Sequence, residues 1–184
     1  KNIIAPSQVY TQRAAQEFGV QFECFNVGMA ANKTDMACGF LSATAAIAKC
    51  LPEGPLADPV IDAAVGDLSA VRAQPLGSFH SANRPDDGDD PVGVAALKLR
   101  RAVCDQMRTP HWIPKYIDSF AAIDDTYDDA PATVVSYKVW LAGVRKWAFA
   151  DQLVMTHIAR VLRVWITIVP YRNNWLVTET NPCG

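Results

Sequence analysis

Cys38 stands in the segment Thr34-Asp35-Met36-Ala37-Cys38-Gly39-Phe40-Leu41-Ser42-Ala43, where a polar loop gives way to an Ala-rich run. Asp35 lies just upstream of it. A thiol at such a junction sits where a helix begins. The unpaired backbone N–H groups and the positive end of the macrodipole favour thiolate over thiol there, and the same N–H groups can receive an oxyanion. The segment therefore has the makings of a cysteine nucleophile. The competing reading is a buried structural thiol, since free cysteine is among the most buried residue types. The other cysteines, Cys24, Cys50, Cys104 and Cys183, are widely spaced, and no C-x-x-C pair or His-x-His cluster offers zinc-ligand spacing. Neither a metal nor another cofactor is expected.

A cysteine nucleophile needs a base, and the chain offers His80, His111 and His157. His80 falls in a polar loop and reads as solvated. His111 follows Pro110 and reads as a helix-start residue. His157 lies between Leu153 and Val161 on a four-residue ladder, which places it beside a core.

The elements that must position these groups are mostly helical. Phe40, Ala43, Ile47 and Leu51 share one face at helical spacing, so the thiol leads into a helix over 39–51. Further helices are expected over 8–18, near 60–70, and over 92–107, 112–120, 132–144 and 148–162. Residues 20–27 alternate like a strand or an extended entry into the loop. Residues 164–169 read as a strand with a hairpin partner at 175–178. Residues 74–90 collect Pro, Gly, Ser, Asn and Asp with little periodicity and read as an exposed loop, and the acidic stretch 124–129 as a solvated connection.

Composition bounds what such a chain does. With 184 residues, half of them hydrophobic and a fifth charged, it is long enough for one domain with a sizeable core. A formal charge of −2 gives no basic field to recruit nucleic acid. No apolar run is long enough to span a bilayer, and residues 1–10 lack the apolar stretch of a signal peptide. The odd, scattered cysteines suit a reducing compartment, so a cytoplasmic location is expected, or a virion-associated one for a viral protein.

The order of the motifs adds a family resemblance. Asp35-x-x-Cys38-x-Phe40-x-Ser42 resembles the nucleophile motif Asp-Gly-x-Cys-Leu-Phe-x-Ala/Ser of the ovarian tumour (OTU) family of papain-like cysteine proteases and deubiquitinases. Leu99-Arg100-Arg101-Ala102-Val103 is similar to that family's LR-x-x-V helix, and residues 111–120 to the stretch after it. Tyr137, Leu141 and Trp147, then the 148–162 helix and Trp165-Ile166-Thr167-Ile168-Val169, follow in the family's order. The similarity spans residues 30–170. It implies an α+β fold, OTU-like, with the nucleophile helix and further helices packed on a small twisted β-sheet, in a single domain covering 1–184 with an exposed loop at 74–91.

The resemblance also implies roles. Cys38 would attack an isopeptide or peptide carbonyl at the C-terminus of ubiquitin or a ubiquitin-like modifier, and Asp35 with the 35–38 backbone would line the oxyanion hole. Two departures matter. Met36 stands where the family has a loop Gly, and Trp147-Ala148-Phe149 where it has Trp-Gly-Gly. No His follows the 164–169 strand, and Asn174 of Asn173-Asn174-Trp175 occupies the degenerate His place. An amide cannot accept a thiol proton near neutral pH. Either the base lies beyond Gly184, or another His is recruited, or the chemistry has been lost. Two function classes follow: a cysteine protease or deubiquitinase acting through Cys38, or a catalytically inactive OTU-like module with a binding or structural role in a larger assembly, viral or polyprotein-derived.

Overall fold

The computed structural model describes residues 38–50, 59–74, 90–122, 133–146, 150, 152–168 and 178–180. Its elements are α1 (Cys38–Cys50), α2 (Pro59–Val65), α3 (Ser69–Ala73), α4 (Pro91–Met107), α5 (Ile113–Ala122), α6 (Val134–Lys146), α7 (Gln152–Leu162), β1 (Ile166–Ile168) and β2 (Thr178–Thr180). The expected helix over 8–18, the extended stretch 20–27, the acidic segment 124–129 and most of the 74–91 loop lie outside the described residues.

The core is built around α4. Val92, Ala95, Ala96, Leu99, Arg100, Val103, Cys104 and Met107 are buried along it, a stripe at three- and four-residue spacing wide enough to serve several neighbours. α1, α2, α3, α6 and α7 all pack against α4, α2 also meets α7, and α5 rests on α6. The start of α4 is fixed locally. The Asp90 side chain accepts a hydrogen bond from the Val92 N–H at 3.1 Å, and Pro91 occupies the first turn, where its missing N–H costs nothing. α2 and α3 are separate because Gly66 takes φ +78° and Asp67 then accepts from the Ser69 N–H at 2.8 Å, restarting the helix.

α7 ends on a left-handed residue that is not glycine. Arg163 has φ 53°, its N–H reaches the Arg160 carbonyl at 3.3 Å, and the Val164 N–H reaches the Ala159 carbonyl at 3.0 Å. That is the Schellman arrangement, and it turns the chain from α7 into β1. β1 pairs antiparallel with β2, Ile166 opposite Thr180 and Ile168 opposite Thr178.

This corrects the expected fold class. The α+β fold with helices packed on a small twisted β-sheet is not what forms: among the described residues the strands are a single three-residue pair, and the helices bury their apolar faces on one another. Two short strands offer too little face to cover a helix. The apolar residues of α1, α4, α6 and α7 recur at helical spacing, which suits helix-on-helix packing. Among the described residues no helix is long and apolar enough to cross a membrane.

Candidate functional site

Cys38 is the first residue of α1. The first N–H groups of this thirteen-residue helix have no intrahelical partner, and a helix N-terminus is an environment that lowers a thiol pKa. The turn bearing Cys38 is held by its next two residues. A Cβ added at Gly39 would lie 2.8 Å from the Ala150 Cβ and 3.3 Å from the Met155 Sδ, so only glycine allows α1 this close to the start of α7. Phe40 is fully buried, and the Arg100 guanidinium lies 4.9 Å from its ring centroid. Arg100, itself buried on α4, donates through Nη1 to the Lys146 carbonyl at 3.1 Å. α1, α4 and the end of α6 are thereby joined, with cation–π attraction added to a hydrogen bond. One turn further along, the Thr44 hydroxyl donates to the Phe40 carbonyl at 2.8 Å.

The two described histidines, His157 and His111, sit in different surroundings. His157 has no exposed surface, and its Nδ1 lies 2.5 Å from the Tyr116 hydroxyl. Burial, reinforced by the Arg160 charge, lowers its pKa to about 4, so it is neutral near pH 7 but closed to substrate. His111 is exposed in the turn before α5, edge-on to Trp112 at 4.9 Å and with Nε2 3.1 Å from the Lys115 Nζ. Asp35, His80, Trp147, Asn174 and Trp175 lie outside the described residues.

Cys104 supplies the contrast to Cys38. It is completely buried within α4, and burial pushes its thiol up to about 11. A thiol so placed is inert. Among the described residues no group of three or more His, Cys, Asp or Glu side chains could hold a metal ion.

Arg100 and Tyr116 fall inside the motif stretches 99–103 and 111–120, but those stretches assign neither of them a role. Arg100 had a signal: it falls at the four-residue step after Ala96 within an apolar stripe, where a charge is out of register with solvent. Tyr116 had none, because its partner His157 is distant in sequence. Comparison with family models, with curated proteins and with solved structures gives no match to this chain.

Proposed function

We propose that this chain is a thiol hydrolase domain in which Cys38 attacks the carbonyl carbon of a peptide or isopeptide bond. The observation that supports it is the position of Cys38 as the first residue of α1, a helix whose first turn is packed in place by Gly39 and Phe40. The order of motifs that resembles the ovarian tumour family suggests the C-terminal linkage of ubiquitin or a ubiquitin-like modifier as substrate. In that reaction the thiolate adds to the carbonyl, the oxyanion is held by backbone N–H groups, the amine leaves with a proton, and water hydrolyses the thioester. His157 is sealed in the core, so the proton-transfer group is another one, from this chain or from outside it. A free-thiol nucleophile of this kind suits a reducing, cytoplasmic setting.

The second reading is a module that binds a modifier or assembly partner without cleaving it. The enclosure of His157 by Tyr116 favours it, since that leaves one fewer imidazole to serve Cys38. Ubiquitin carrying an electrophile at its C-terminus separates the two. A covalent adduct on Cys38, absent in Cys38→Ala, is the hydrolase result; binding of unmodified ubiquitin with no adduct is the module result. Neither binding nor adduct removes the modifier from both readings.

A further inference from the structure

His157 is a titratable group sealed between helices, with one ring nitrogen engaged and the other idle. Nδ1 faces the Tyr116 hydroxyl at 2.5 Å, and Arg160 donates through Nη1 to that same hydroxyl at 3.2 Å. Nε2 is buried and has no hydrogen-bond partner among the described residues. We propose that Tyr116 and His157 form a proton-operated latch, in which neutral His157 holds α5 on α7 and its protonation releases α5 while the α4-centred core stays packed.

The direction of the hydrogen bonds carries the argument. In the neutral tautomer that carries its proton on Nε2, Arg160 donates to Tyr116 and Tyr116 donates to Nδ1, a consistent chain. A proton on Nδ1 reverses the last link. The Tyr116 oxygen then faces two donors, and its own proton must leave that axis. The imidazolium would have no exposure to water, and its Nε2–H would have no partner among the described residues, so the charge is poorly supported where it forms.

Among the described residues no neutralising group faces that charge. From α5 come Tyr116 and, from the preceding turn, Trp112, whose ring lies 5.1 Å from the imidazole and carries Lys115 at 4.7 Å on its own face. His111 sits edge-on to the same indole. From α6 comes Tyr137, stacked on Tyr116 at 6.4 Å with its hydroxyl on the Met107 carbonyl. α7 itself contributes Arg160, whose guanidinium lies over Trp112 at 4.8 Å and is the charge acting on His157. The charged side chains of α2 and α4, Asp62, Lys98, Arg101 and Asp105, are exposed, and the buried Arg100 is directed to Phe40 and Lys146.

α5 is the element that yields first. It rests mainly on α6 and reaches α7 through the Tyr116 side chain, whereas α4 is enclosed by its neighbours with Leu99, Val103 and Met107 fully buried. Amide hydrogen exchange of the whole chain, corrected for intrinsic rates, tests this at about pH 6.5 and about pH 4.5. A shift from the ordinary 6.5 to about 4 predicts that protection in α5 falls about 40-fold over that interval, with α4 unchanged. Equal loss in α4 and α5, or no loss in α5, overturns the latch. His157→Gln should abolish the pH dependence in α5. Tyr116→Phe, which keeps the imidazole and removes its donor, should already show the faster α5 exchange at about pH 6.5, and wild-type protection there would also overturn it.

Discussion

Lys49 and Arg72 cap each other's helices. The Lys49 ammonium, in the last turn of α1, donates to the carbonyls of Arg72 at 2.7 Å and Gln74 at 2.8 Å, while Arg72 Nε, in the last turn of α3, donates to the Ala48 carbonyl at 3.2 Å. Each cation thus meets the negative end of the other helix and satisfies carbonyls that have no intrahelical partner.

Lys49→Met keeps most of the apolar stem and removes three donors. It should lower unfolding stability by about 1 to 3 kcal/mol, read from urea denaturation, because charge-assisted bonds to partly buried carbonyls are lost. Arg72→Met should cost less, since it removes the single bond to the Ala48 carbonyl at 3.2 Å. The double variant should lose less than the sum of the two, as the sites share backbone.

Gly39→Ala should destabilise the fold by about 1 to 2 kcal/mol. Helix propensity alone favours Ala by up to about 1 kcal/mol, but the new Cβ would meet the Ala150 Cβ at 2.8 Å, and overpacking of that kind costs more. A thermal melt checks the sign. A raised melting temperature would mean that α1 and the start of α7 can part at no cost.

Local periodicity made most of the helices legible. The helix over 39–51 forms as Cys38–Cys50, that over 92–107 as Pro91–Met107, and that over 112–120 as Ile113–Ala122, because each carries an apolar stripe that α4 and its neighbours can bury. The expected helix near 60–70 is two, since the turn at Gly66 and the hydrogen bond from the Ser69 N–H to the Asp67 carboxylate outweigh the apolar pattern running through them. The 148–162 helix starts later, at Gln152. The hairpin partner of β1 is Thr178–Thr180, beyond most of the 175–178 stretch.

The fold class was not legible, because helix faces and a narrow ribbon look alike to motif order. Motif order speaks to chemistry, whereas layer architecture depends on which faces meet. His157 could be read as a core residue from its ladder with Leu153 and Val161. Its hydroxyl partner could not, because contact between α5 and α7 is set by packing through α4 and α6.

Cys104 makes stability fall on the alkaline side. Its thiol is raised from the ordinary 9.0 to about 11, so between those values the folded chain holds a proton that the unfolded chain has released. The sign is therefore negative: the contribution is complete below pH 9 and is lost as pH rises towards 11, by about 3 kcal/mol at most. Urea midpoints for wild type and Cys104→Ala should converge over that range. Parallel curves would contradict it.

The most direct measurement is the rate of iodoacetamide alkylation at Cys38 as a function of pH, resolved by peptide mass spectrometry with Cys104 as the internal standard. Thiolate population sets that rate and requires no partner base. Cys38 should label faster than Cys104 already at about pH 6 to 7, with a midpoint below the ordinary thiol value of about 8.5, while Cys104 stays silent until far higher pH. A Cys38 that labels as slowly as Cys104, or with a midpoint at or above about 8.5, would contradict an activated nucleophile at the start of α1.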